Sequence, residues 1–108
     1  MDAAQWKKIL GLAGLGVRGR LAVVGVERVR EAARKGTLKL AIVAGDASKN
    51  SLDKVVPLLA AKKVRMLDGI GAAALGAAVG KDATAVVGIV DVQLAKGIRG
   101  IVDSAKEG

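Results

Sequence analysis

Apolar positions along the chain switch repeatedly between two periods. Trp6, Ile9, Leu10, Ala13 and Val17 recur at helical spacing and predict a first helix with one inward face. Leu21 to Val24 is an unbroken apolar run, too short for a helix, and predicts a strand that Gly25 ends. Val26, Val29 and Ala33 return to helical spacing, with Glu27, Arg28, Arg30, Glu31, Arg34 and Lys35 on the wet side. Gly36 stands where a helix C-terminal glycine belongs. Leu38 to Ala44, apolar apart from Lys39, predicts a buried strand. Ser51 or Asn50 is placed to cap a third helix carrying Leu52, Val55, Val56 and Leu59 inward. Pro57 removes one helical hydrogen bond there and predicts an early bend. Val64 to Leu67 then reads as a strand, Ile70 to Val79 as a short helix and Ala85 to Val90 as a strand. Val92 to Lys106 closes the order as an amphipathic helix with Leu94, Ile98, Ile101 and Val102 inward.

This order, α-β-α-β-α-β-α-β-α with continuous apolar strands, predicts an α/β fold whose sheet is covered by helices on both faces. The 108 residues make one domain, 1–108. Its apolar share of 52% is enough for a core, and with no Phe or Tyr that core is aliphatic. No run of about 18 uncharged apolar residues occurs, so no membrane span is expected. The opening Met-Asp-Ala-Ala-Gln-Trp lacks a basic region followed by an apolar one, and a cytoplasmic location is expected.

Charge changes the picture most. The formal net charge is +8, and residues 1–39 hold nine Lys/Arg against three acids. A surplus gathered in the first third of the chain favours an acidic partner, above all nucleic acid. The chain lacks both Cys and His, which removes disulfides, thiolate chemistry and the commonest zinc ligand and general base. No cofactor, metal or enzymatic activity is expected. Asp46, Asp68 and Asp91, each just after a predicted strand, are the best catalytic candidates, but capping helices and shaping turns is the favoured role. The glycines of GLAGLGVRGR close a helix where a dinucleotide-binding loop would open one, and Gly80-Lys81 is followed by Asp82, not Ser or Thr.

The turn at Gly25 is more informative. A helix start offers unpaired amides and partial positive charge, and here Arg18 and Arg20 precede it while Arg28, Arg30, Arg34 and Lys35 follow. Such a cluster suits an RNA backbone and equally suits an ordinary solvated helix face with Glu27/Arg30 and Glu31/Arg34 or Glu31/Lys35 pairs. With one aromatic residue in the chain, stacking on single-stranded bases is disfavoured, so a structured RNA is the expected target.

The segments KILGLAGLGVRGRLAVVGVERVREAARKG, LKLAIVAGDAS, LGAAVGKD and AVVGIVD together resemble the ribosomal L-seven-Ae family of kink-turn RNA-binding proteins, in its bacterial YlxQ-like branch. The likeness spans roughly residues 6 to 100 in the family's order. It implies a three-layer α/β/α sandwich around a four-stranded mixed sheet. It also implies recognition of sharply bent RNA with tandem sheared G·A pairs, by a ribosomal or ribosome-associated protein. Two regions would carry this: the start of the second helix, and the loop before the last strand, here Lys81, Asp82, Ala83 and Thr84. The family's helix reads Gly-x-Asn-Glu-x-x-Lys; counting from Gly25, Glu27, Arg28 and Glu31 occupy the Asn, Glu and Lys positions. Glu27 still accepts hydrogen bonds from a guanine edge, Arg28 only donates, and Glu31 repels phosphate. The expected RNA-binding set is Arg18, Arg20, Gly25, Val26, Glu27, Arg28, Arg30, Lys39, Lys81, Asp82, Ala83 and Thr84. The alternative is a protein–protein interaction module of the same fold, docking through the Gly/Ala-rich fourth helix; the oligomeric state is left open.

Overall fold

The computed structural model describes residues 1–107, and side chains through residue 104. The elements are α1 (Ala3–Arg18), β1 (Ala22–Val24), α2 (Val26–Lys35), β2 (Leu40–Ala44), α3 (Lys49–Ala61), β3 (Arg65–Ile70), α4 (Ala72–Ala78), β4 (Val86–Ile89) and α5 (Val92–Glu107). The sheet order is β1-β4-β2-β3. β4 runs antiparallel to both β1 and β2, and β2 pairs in parallel with β3, which makes the sheet mixed.

The two faces follow from the period-two alternation of strand side chains. Leu40, Ile42 and Ala44 of β2 pack with Ile9 and Ala13 of α1, Leu75 of α4 and Ala95, Ile98 and Val102 of α5. Ala41 and Val43, between them in sequence, pack with Val29 and Ala33 of α2 and Val55 and Leu59 of α3. The molecule is thus a three-layer α/β/α sandwich with α1, α4 and α5 on one side and α2 and α3 on the other. All five residues of β2 are buried, as its central place requires. Close layer contact depends on Gly88, where a Cβ would stand 2.6 Å from Leu38 Cδ1 and 3.1 Å from Val29 Cγ2.

Three features of α3 and β3 differ from the sequence reading. The third helix begins one turn earlier: Ser48, not Ser51 or Asn50, caps it, its Oγ accepting from the Ser51 amide at 3.1 Å. Pro57 therefore lies in the third turn, and instead of an early bend there the helix runs through it to Ala61. Pro57 is on the exposed side, so the carbonyl it leaves unpaired is accessible to water. Third, β3 continues past Leu67. Ile42 is level with Leu67 but Ala44 with Ile70, so β3 carries one extra residue, a bulge. Gly69, at φ +105°, absorbs the bulge, and it packs against the Trp6 ring. Asp68 consequently lies within the edge strand, and Ile70 belongs to β3 rather than to α4.

Asp46 and Asp91 serve as caps. Asp46 Oδ1 accepts from the Ala72 amide at 2.7 Å at the start of α4, and Asp91 Oδ2 accepts from the Leu94 amide at 2.8 Å at the start of α5. The small residues of α4 divide: Ala73, Ala74 and Ala77 are exposed, while Ala72 and Ala78 are half-buried. Gly76 is buried under the Ala83 backbone, and the Ala78 carbonyl lies against Gly14 of α1, where no Cβ fits.

Candidate nucleic-acid interface

β1 forms one edge of the sheet and leads directly into Gly25, the N-cap of α2. Gly25 adopts φ +99° and ψ 160°, a conformation that L side chains rarely take, and open space surrounds it. Glycine is therefore required there by the backbone turn and not by crowding. Its carbonyl accepts from the Val29 amide at 3.1 Å, starting the helix, while no side chain caps the first amides. Those amides and the positive end of the helix dipole are left available to an acceptor.

The loop before β4 is built against this turn. Gly80, at φ +79°, reverses the chain after α4, and the Lys81 amide donates to the Gly76 carbonyl at 2.8 Å. The Thr84 amide donates to the Ala72 carbonyl at 3.1 Å. A Cβ on Gly76 would stand 2.5 Å from Ala83 Cα, so the absence of a side chain there sets the loop's height. Gly25 and the loop meet at Val86, whose carbonyl accepts the Gly25 amide at 3.0 Å.

Between α1, β1, α2 and this loop lies a depression of about 530 Å³, lined by Val17, Arg20, Ala22, Val23, Val24, Arg28, Val79 and Lys81. Three cations surround an aliphatic floor and no carboxylate lines it. A second depression, of about 320 Å³, shares Val17 and Val79 and extends to Arg18 and Gly80. Arg18, Arg20, Arg28 and Lys81 are thus drawn into one arc from distant parts of the chain. Arg20 takes φ +62°, strained for a residue with a side chain, in a turn held by the Leu21 amide donating to the Gly16 carbonyl at 2.7 Å.

The remaining residues of the expected set distribute differently. Val26 is half-buried, and Glu27 is exposed on the first turn of α2. Lys81, Asp82 and Ala83 are exposed on the loop. Thr84 is turned inward, buried, with its hydroxyl donating to the Val86 carbonyl at 3.3 Å, so its side chain is no contact for a ligand. Arg30, two residues from Arg28 and so on another side of α2, is half-buried and lines neither depression. Lys39 is remote. It precedes Leu40, which is level with Ile89 and hence with Ala22, at the far end of β1 from Gly25; its carbonyl accepts from Arg99 Nη2 at 3.3 Å.

Glu31 is balanced by its neighbours. Its carboxylate pairs with Lys35 Nζ at 2.7 Å, and it lines a separate surface with Arg28 and Lys35. The hydrogen bond and charge of Lys35, aided by Arg28, hold the Glu31 carboxyl below its ordinary value. The aliphatic floor of Val17, Val24 and Val79 is the part that sequence reasoning missed. Helical period assigned Val17 to the core, and the primary pattern does not distinguish a core position from one at the layer's rim.

An aliphatic-floored, cation-rimmed cleft beside an uncapped helix start, on a three-layer sandwich with this strand order, defines a class. The chain belongs to the ribosomal protein L7Ae/L30e/S12e/Gadd45 family, whose sequence pattern matches residues 8–98. Among particular proteins it is 32% identical over 103 residues to the RNA-binding protein YlxQ of Bacillus subtilis (strain 168), across 95% of this chain and all of that one. A solved structure of a protein of unknown function from Bacillus halodurans C superposes with a TM-score of 0.79 at 27% identity, covering 89% of this chain and 97% of that one. The Giardia lamblia 15.5kD RNA binding protein shares the fold, with a TM-score of 0.80 at 22% identity over 99% of this chain and 92% of its own.

Proposed function

We propose that this protein binds a structured RNA of the kink-turn type, as a ribosomal or ribosome-associated protein of the cytoplasm. The observation that carries the reading is the set of Arg20, Arg28 and Lys81 around one cleft, with Arg18 on the adjoining depression, beside the free amides of α2. The relationship to a YlxQ protein named for RNA binding supports the same class of ligand. In this reading the cations hold phosphates on either side of a bend, and Glu27 accepts from a guanine edge exposed by a sheared pair. Arg28 replaces the acceptor of the family pattern with donors, which suits a phosphate or the guanine O6 and N7 atoms. The Lys35 partner of Glu31 supplies the positive charge that the Glu31 position lacks.

The test is binding to a labelled kink-turn RNA and to the same RNA with its G·A pairs replaced by Watson–Crick pairs, at about 50 and about 200 mM salt. Preference for the kink-turn at both salts supports the reading. Equal binding that collapses for both RNAs as salt rises would show that the +8 charge supplies only unspecific attraction.

A further inference from the structure

We propose that the outer surface between α1 and α5, which meets the RNA cleft only at Arg18, is a docking groove for an acidic amphipathic helix of another protein. The groove is lined by Lys8, Gly11, Leu12, Leu15, Arg18 and Ile101, with a volume of about 630 Å³. Leu15 is 60% exposed, the most exposed of the large apolar side chains described. Nothing lies within 4 Å of where a Cβ would stand on Gly11, so a visiting helix can reach the backbone of the α1 wall. This is the shape that receives an apolar helix stripe with anchors at i, i+3 or i+4, and i+7.

Charge selects the occupant. Lys8 and Arg18 stand at the two ends of the groove, ten residues and so about 15 Å apart along α1. Beyond its capping Asp2, α1 carries Lys7, Lys8 and Arg18 and no acid. None of the three joins a salt bridge among the described residues. A second copy of the chain is disfavoured, because two-fold pairing would set these cations against their own copies. A helix with carboxylates about three turns apart, flanking an apolar stripe, matches both ends at once.

The probe is a synthetic helical peptide with leucines at i, i+4 and i+7 flanked by glutamates, compared with the same peptide carrying lysine for each glutamate. Binding is followed on the amide resonances of the full chain. The acidic peptide should shift Gly11, Leu12 and Leu15 and bind at least about ten-fold more tightly than the basic one. Leu15→Gln, uncharged and at an exposed position, should abolish this binding while leaving RNA affinity and thermal stability unchanged; Leu15→Ala should weaken it partially. Equal binding of the two peptides, shifts that map elsewhere, or no binding of the acidic peptide would overturn the proposal. So would a dimer lost on Leu15→Gln, or a kink-turn RNA that shifts Lys8 and Gly11.

Discussion

Gly25 and Thr84, fifty-nine positions apart in the sequence, donate to the same oxygen. The Val86 carbonyl accepts the Gly25 amide at 3.0 Å and the Thr84 hydroxyl at 3.3 Å. The start of α2 and the end of the loop before β4 are therefore fixed relative to each other through one main-chain atom. That places the two lips of the cleft at a set separation before any ligand arrives. Thr84→Val removes the hydroxyl at nearly constant shape and leaves the buried site one hydrogen bond short. It should cost about 1 kcal/mol of stability, and Thr84→Ser should restore most of it; urea denaturation of the two variants checks this.

Gly76→Ala should displace the loop, because the new methyl would meet the Ala83 backbone, which no flexible side chain can relieve. We expect a loss of about 1–3 kcal/mol, in the range of overpacked sites, together with weaker RNA binding. Gly11→Ala, where nothing lies within 4 Å, is the matched control and should be neutral or stabilising. Thermal melts and RNA titrations of the pair separate loop position from helix content.

Two residues with side chains hold left-handed backbone, Arg20 at φ +62° and Lys63 at φ +59°. Glycine at either relieves strain of about 1 kcal/mol, offset in part by its greater unfolded-state entropy. Both Arg20→Gly and Lys63→Gly should therefore leave stability unchanged or slightly raised. They should differ in RNA binding, since Arg20 lines the cleft and Lys63 closes α3 on another surface. The Arg20 variant should lower the slope of log affinity against log salt by close to one unit, and the Lys63 variant should leave it alone.

The Glu31 carboxyl is held below its ordinary value of 4.5, first by its hydrogen bond to Lys35, then by the Lys35 charge and Arg28. Its contribution to stability is thus present above about 4.5 and is lost as pH falls through the lower folded-state value. A carbon-detected NMR titration should show the Glu31 midpoint rise toward 4.5 in Lys35→Met. A midpoint unchanged by that substitution would refute the pairing as its cause.

Asp46 and Asp91 each cap a helix, so Asp46→Ala and Asp91→Ala should each cost about 1 kcal/mol and leave RNA affinity intact. The prediction is checked by denaturation alongside RNA titration. It contrasts the two carboxylates with Arg28→Ala and Lys81→Ala, which should weaken binding with little effect on stability.

Helix and strand identities were legible in the sequence because each is a local matter of period. The alternation of Leu40 to Ala44 between two cores, the left-handed Gly36 and the Gly25 turn depend on residues within one or two turns of chain. Boundaries were less legible where a distant partner decided them. Gly69 looks like a terminator along the chain, yet the parallel pairing with β2 and the Trp6 ring carry β3 through it as a bulge. Ser48 and Ser51 are equally good caps by type, and only the folded turn shows which oxygen meets which amide.

The cleft divides along the same line. Residue types and the charge of the first third of the chain determined that a basic surface would exist and that an uncapped helix start would adjoin it. Tertiary structure alone decided its membership. Arg20, Arg28 and Lys81 converge because the edge strand β1 pairs with β4, whereas Lys39 is carried to the far end of the same sheet and Arg30 to another side of α2. Thr84 shares the loop with Lys81 but is turned inward to Val86. Sequence specifies which side chains can bind an anion; strand order and helix rotation specify which of them reach the same one, because those depend on contacts made across the whole fold.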